Sequence, residues 1–394
     1  MAFAPLFAFS LIVHALVGWR LVPDLAQYSV YAGFAFSLWL VLSTALMPMG
    51  LVAQRLAPEP WGHRLTWIGM VCMGVFSSLF ALMVVREVVL LFATMLQWMN
   101  PGLLNLMALR EVTVVLIPIV SIAILAVGYW NARRTAAVVS VDVPVNNLPE
   151  ALVGFRIAQI SDIHVGPTIK EAYLQRIVHR VNRLQADVVA ITGDLVDGPV
   201  QQLASLVEPL RGLHSTYGSF FVTGNHEYYS GAHAWINALR MLGVTVLMNE
   251  HVVIDHGLGS NTHASASLVL AGVTDYSAHH FDTSHQSDPH KAIANAPTDA
   301  GFKLLLAHQP RSADAAAKAG FDLQLSGHTH GGQFWPWPHF IRLQQPFTAG
   351  LQKLRNMWIY TSRGTGYWGP PMRLGAPSEI TLLRLIREQD ANPA

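Results

Sequence analysis

Cysteine is almost missing: the 394-residue chain has one, Cys72, inside an apolar run. That excludes a disulfide framework and a zinc site built on thiolates. Charge is scarce as well, with charged residues at 12% of the chain against about a quarter in soluble proteins at large. The net charge is +1, so no broad basic surface invites nucleic acid. No Gly-Lys-Ser/Thr loop and no Gly-x-Ser-x-Gly elbow occurs, which removes the usual signs of nucleotide-driven work and of a serine nucleophile. The start of the chain has no basic region and no tidy small-residue cleavage site, so it does not read as a signal peptide.

Apolar residues fill the space that charge leaves, at 52% of the chain, and this excludes a disordered polymer. The charge that exists is unevenly spread. Only nine charged side chains fall in the first 130 residues: Arg20, Asp24, Arg55, Glu59, Arg64, Arg86, Glu87, Arg110 and Glu111. Between them lie four uncharged stretches, 3–19, 28–50, 65–85 and 112–130. Each meets or approaches the roughly 20 apolar residues that cross a bilayer core. Trp19, Tyr28, Tyr31, Trp61, Trp67, Tyr129 and Trp130 sit near their ends, where interfacial aromatics belong. The stretch 88–109 is apolar too, but Asn100-Pro101-Gly102 interrupts it, so it reads as an extension of the third helix followed by a loop. With four spans, Arg55, Arg64, Arg133 and Arg134 share the side of the C-terminal region, against Arg20, Arg86 and Arg110 opposite. The positive-inside tendency then places that region in the cytoplasm and the helices in the cell (inner) membrane. The spans contain His14 but no Asp, Glu or Lys away from their ends. Intramembrane ionisable groups mark transport paths, so a transporter or sensor with a regulatory metal-binding domain is the weaker alternative.

After Arg134 the pattern changes. The expected organisation is a transmembrane region over 1–134, a linker over 135–152, a soluble domain over 153–388 and a tail over 389–394. Short β-branched runs alternate with amphipathic stretches such as 169–184, which favours α/β layering. The later strands follow closely on one another, so part of the sheet is expected to be antiparallel. The segments 256–267 and 278–300 are polar and rich in histidine and read as loops.

Five short segments follow apolar runs and therefore sit at strand ends: Asp162-Ile163-His164, Gly193-Asp194-Leu195-Val196-Asp197, Gly224-Asn225-His226-Glu227, Ala307-His308-Gln309 and Gly327-His328-Thr329-His330. Carboxyl ends of strands are where open α/β sheets place their sites. Carboxylate oxygens and imidazole nitrogens suit borderline divalent metals. One such segment means little, but five in this order are a specific signal.

In these segments the sequence resembles the calcineurin-like metallophosphoesterase superfamily over about residues 153–386, and in particular its bacterial membrane-associated members. The resemblance implies a two-layer β-sandwich flanked by helices, with two divalent metal ions (Mn, Fe or Zn) at one end. It further implies that Asp162, His164 and His330 bind one ion and that Asn225, His308 and His328 bind the other. Asp194 would bridge the two. His226 would stand beside the substrate as a catalytic residue that protonates the leaving oxygen, and Glu227 would orient the site. The implied activity is hydrolysis of a phosphodiester or pyrophosphate by metal-activated hydroxide, the substrate being a lipid or lipid-linked phosphoester at the bilayer. Alternatives within the same chemistry are a phosphomonoesterase and a cyclic-nucleotide phosphodiesterase.

Other residues draw attention on their own chemistry. Asp197 reads as support for the metal shell or a helix cap, and Asp275 as a loop residue. Arg363 and Arg373 stand on glycine loops as candidates to reach a phosphate. His279, His280, His285 and His290 read as surface histidines. The aromatic run 334–340, with Trp358, Tyr367, Trp368 and Met372, is either a structural loop or an apolar lip that touches acyl chains.

Overall fold

The computed structural model describes residues 3–58, 60–257 and 266–390, and the chain divides into two compact units. The first comprises 1–133 with 369–374, and the second comprises 134–368 with 375–394. Residues 258–265 and 391–394, within the loop and the tail expected from the sequence, lie outside the described residues.

Four helices make up the first unit: α1 Ala4–Tyr28, α2 Val30–Leu56, α3 Trp61–Met99 and α4 Leu106–Arg133. Their apolar windows have mean hydropathies of 1.7 to 2.5. The shortest has 25 residues and, at about 1.5 Å per residue, exceeds the roughly 30 Å of a hydrocarbon core. Apolar side chains cover the outside, with Phe9, Ile12, Trp19, Leu42 and Phe92 all exposed. Water would penalise such a surface, and lipid would not. The helices are thus long and apolar enough to cross a membrane. They number four among the described residues, and 88–99 does extend the third helix.

Association between the helices uses small residues. A Cβ on Gly69 of α3 would overlap the Leu46 carbonyl oxygen and the Gly50 backbone of α2, so both glycines are what permit the close approach. Two polar groups inside the unit, His14 and Arg86, are paired. His14 Nδ1 bonds the Ser10 carbonyl at 2.8 Å, Nε2 meets Ser43 Oγ at 3.0 Å, and the ring stacks on Phe76. Arg86, buried, pairs with Asp24 and Glu87 and donates to Thr113 Oγ1 at 3.0 Å. Because α3 continues past it, Arg86 lies inside a helix rather than at an end.

The second unit is a sandwich of two six-stranded sheets. Its strands are β1 Ala137–Val145, β2 Arg156–Ile160, β3 Val188–Ile191, β4 Ser219–Phe221, β5 Thr245–Val246, β6 Glu250–His256, β7 Ala266–Gly272, β8 Phe302–Leu306, β9 Leu323–Ser326, β10 Gly350–Leu354, β11 Met357–Thr361 and β12 Glu379–Arg387. One sheet runs β1-β12-β2-β3-β4-β5 and the other β10-β11-β9-β8-β7-β6. The central strands β2 to β5 and β7-β8-β9-β11 are parallel. Antiparallel pairing is confined to β12 with β2 and to the outer strands β6 and β10. Residues 135–152, expected as a linker, carry β1, which pairs with β12 over nine residues and closes the sheet edge. The compact unit therefore begins at Arg134.

Between the sheets lies one continuous core. Ile157, Val188, Ala190, Phe220 and Val222 of the first sheet meet Leu268, Leu270, Leu304, Leu306, Leu323 and Leu325 of the second. Strands buried on both faces read as unbroken apolar runs, which is why the sequence pattern located them. The flanking helices are amphipathic: α5 Glu171–Asn182 buries Leu174, Ile177 and Val181 and turns Glu171, Arg176 and His179 to solvent. The shorter α6 Val200–Val207, α7 Asn225–Ser230 and α8 Ala232–Met241 follow β3 and β4.

Candidate metal centre

Every one of the five chemistry-bearing segments emerges at the carboxyl end of a strand: Asp162 and His164 after β2, Asp194 after β3, Asn225 after β4, His308 after β8 and His328 and His330 after β9. Parallel order brings those ends to one edge of the sandwich. The backbone there is unusual. Asp162, His164, Asp194, His328 and His330 all have φ between 50° and 70°. For residues other than glycine, such conformations cost on the order of 1–3 kcal/mol each and persist only where the surroundings impose them. They turn consecutive side chains inward rather than to alternate faces. Glycine makes the remaining room: a Cβ at Gly224 would overlap Asp194 Oδ1, and one at Gly327 would overlap Asp162 Oδ2.

Three overlapping trios of ligand atoms result: Asp162, His164 and His330 in the first, Asp194, His308 and His328 in the second, and His164, Asp194 and His226 across the two, with the ligand atoms of each trio within 4.8 Å of one another. In the first, His164 Nε2 faces His330 Nε2 at 3.1 Å, and His330 Nε2 lies 3.6 Å from Asp162 Oδ1. In the second, His308 Nε2 lies 3.1 Å from Asp194 Oδ2 and 3.2 Å from His328 Nδ1. The trios are joined. Asp194 Oδ2 is 3.9 Å from His164 Nε2, and the His328 amide donates to Asp162 at 2.9 Å. Asn225, which precedes His226 in the chain after β4, has a buried Oδ1 with no hydrogen-bond partner. A buried oxygen without a donor is costly unless a cation supplies the missing interaction. Facing imidazole nitrogens need the same remedy. The residues present fit divalent cations on both counts.

Around the ligand atoms, a second layer fixes their tautomers. His308 Nδ1–H donates to the Thr192 carbonyl at 2.7 Å, which leaves Nε2 as the atom that faces Asp194. His164 Nδ1–H donates to Asp197 Oδ1 at 2.9 Å, and the same oxygen takes His226 Nδ1–H at 2.6 Å. Outer partners of this kind orient ligating imidazoles and raise their basicity. Glu227, fully buried, accepts from the amides of Gly224, Asp194, Leu195 and Val196. It thereby ties the β3 loop to the β4 loop.

Titration follows from this crowding. Burial alone would depress the His226 imidazole, but the Asp194 and Asp197 carboxylates outweigh it and hold it at about 9. For His328 burial acts in the same direction as the neighbouring His308, and the imidazole falls to about 3. His328 is therefore neutral at pH 7 and ready to ligate. Asp197 lies well below the usual carboxylate range, since the His164 and His226 imidazoles overcome the cost of its burial. Burial and the Asp194 carboxylate push Glu227 up to about 8, against the pull of the Gly224 and Leu195 amides.

Comparison with known proteins covers the stretch of chain that carries these segments. A family profile described as calcineurin-like phosphoesterase matches residues 155–332. An uncharacterized metallophosphoesterase of Campylobacter jejuni is 35% identical over 269 residues, covering 68% of each chain. The chain belongs to the calcineurin-like metallophosphoesterases. A second family member, from Aquifex aeolicus, is 34% identical over 232 residues, which is 58% of this chain and 84% of that one. A Danio rerio protein named transmembrane protein with metallophosphoesterase domain is 42% identical over 265 residues, 66% of this chain. The match spans 60% of that relative's length, and 63% of a Bos taurus protein of the same name.

Asp162, His164, Asp194, His308, His328 and His330, six of the side chains expected as ligands, fall in these trios, Asn225 precedes His226 at the end of β4 with its side-chain oxygen unpartnered, and the His226 ring packs against Tyr229 and Trp368. Asp197 does more than cap a helix, because it serves two histidines at once. Its Gly-Asp-x-x-Asp spacing hinted at the role but did not name its partners. Asp275 is buried, and its carboxylate holds the Gln309 side chain and the Ser277 amide. Arg363, expected as a phosphate candidate, pairs with the buried Glu379 at 2.9 Å, and Arg373 is 1% exposed.

Proposed function

We propose that this chain is a membrane-bound, dinuclear metal-dependent phosphoesterase that hydrolyses a phosphodiester or pyrophosphate of a lipid or lipid-linked substrate. The observation that carries the reading is the pair of ligand trios meeting at Asp194, with the unpartnered Asn225 oxygen beside them. Asp162, His164 and His330 would hold one cation, and Asn225, His308 and His328 the other. The two oxygens of Asp194 would serve both. When bound, two such cations polarise phosphoryl oxygens and lower the pKa of a water to about 7.

The chain's own residues supply the rest. Asp197 anchors His226 through Nδ1, so the Nε2–H is the proton available to a leaving oxygen. With its imidazole held at about 9, His226 carries that proton at neutral pH and is the general acid. Such a group contributes on the order of 10²–10⁴ in rate. Tyr229 and Trp368 pack against its ring and restrict its orientation.

Substrate class is argued from confinement and surface. The second unit starts directly after the last apolar helix, so the domain cannot leave the bilayer's neighbourhood. Directly after the His330 ligand, Trp335, Trp337, Phe340 and Leu343 are exposed, Leu343 at 81%. Aromatic and aliphatic side chains so placed favour contact with acyl chains. Arg133-Arg134 at the end of the last helix favours the inner membrane with the domain in the cytoplasm.

The test is a hydrolysis screen of the full-length chain, with added manganese, over phospholipids, lipid-linked sugar phosphates, cyclic nucleotides and model mono- and diesters. Asp194→Ala is expected to lose bound metal and activity together. Turnover of soluble nucleotides far above every lipid substrate would remove the lipid assignment. Unchanged activity in Asp194→Ala would remove the centre.

A further inference from the structure

Away from the strand ends, one other group of ligand-type atoms gathers among the described residues. His233 on α8 meets Asp282 and His285, which lie in the segment between β7 and β8, and the three offer ligand atoms within 4.8 Å of one another. We propose that His233, Asp282 and His285 form a separate surface site for a borderline divalent cation such as zinc, which staples the segment around 282–285 to α8.

The donor set is arranged for it. Asp282 Oδ1 accepts from the Ser284 amide at 2.9 Å and the Ser284 hydroxyl at 2.6 Å. That fixes the carboxylate and turns Oδ2 toward the histidines, 3.0 Å from His233 Nε2 and 4.0 Å from His285 Nε2. His285 Nδ1 lies 3.0 Å from the Tyr228 hydroxyl oxygen. In the tautomer that donates Nδ1–H to that oxygen, the Nε2 lone pair points at Asp282, the arrangement in which a second partner orients a ligating imidazole. The two imidazole rings sit 4.9 Å apart between centroids. Two imidazoles and one carboxylate match zinc, with the fourth position left to water. The His233 side chain is 73% exposed, so a cation can enter from solvent.

The site has a reason to matter beyond its own loop. Phe281, next to Asp282, packs against both Tyr228 and Tyr229, and Tyr229 packs against His226. Tying 282–285 to α8 therefore steadies the aromatic wall beside the proposed general acid.

The experiment uses tag-free full-length chain in detergent, equilibrated with zinc and freed of unbound metal by gel filtration. Metal content is measured for wild type, His233→Ala and His285→Ala. Each variant is expected to hold one zinc fewer per chain than wild type, a difference that does not depend on how many ions the strand-end centre keeps. In wild type, zinc is expected to slow hydrogen exchange over 278–286, with no such slowing in either variant. Equal zinc content in wild type and both variants overturns the site. Exchange in wild type that zinc leaves unchanged overturns the staple.

Discussion

Asp197 Oδ1 accepts from the δ nitrogens of His164 and His226, one a proposed ligand and the other the proposed acid. A single carboxylate thus sets the tautomer of one imidazole and helps keep the second protonated. Asp197→Asn keeps the volume and removes the charge. Since Asp197 raises the His226 pKa, its loss lowers it. The alkaline limb of the kcat profile is therefore expected to move to lower pH, with roughly a 10–100-fold loss of activity; a rate–pH series on the purified variant measures both. His308 carries a second prediction. Burial disfavours its charged form, but Asp194 at 3.1 Å holds its pKa well above the ordinary histidine value. Ligation through Nε2 needs that proton to leave, so metal uptake is expected to release protons and affinity to fall as pH falls. Titration calorimetry with manganese in buffers of differing ionisation enthalpy reads the proton count directly.

Strands decide where the donors appear, and the turns after them decide where they point. Five of the seven expected ligands sit at positive φ, a strain that the loops tolerate because amide networks such as those on Glu227 hold them. Close approach of the β3 and β4 loops depends on Gly224. Gly224→Ala is expected to push Asp194 out of place. Metal content and activity should drop by at least about tenfold, an amount that a displacement of only about 1 Å can produce, while the far-ultraviolet circular dichroism stays that of the wild type. Retained metal and activity would show that the loop has slack the structure does not suggest.

At the scale of the whole chain, four apolar helices precede a sandwich whose own core lies between its sheets. The chain is expected to remain in the membrane fraction through an alkaline carbonate wash and to be released by detergent. With four spans and the domain in the cytoplasm, a protease added to inside-out vesicles is expected to remove the second unit, and one added to intact spheroplasts is not. The reverse pattern would place the domain on the other face.

Much of this was legible in the linear chain. Both-face burial makes the central strands continuous apolar runs, and the Asp, Asn and His segments fall just past their ends, so order and spacing located the five segments, while the resemblance to the metallophosphoesterases named which of their residues were expected to ligate. The apolar helices were legible for the same reason: lipid demands an uninterrupted run. Their limits were not, because Asn100-Pro101-Gly102 marked the end of the third helix but nothing marked how far Arg86 lay within it. What only the tertiary structure decided were contacts between residues with no local pattern: β1 joining β12 across more than two hundred positions, Asp197 reaching two histidines, and His233 meeting Asp282 and His285. Apolar periodicity records burial and hence the elements. The pairing of polar side chains across loops depends on backbone turns and close approaches, which composition and spacing do not encode.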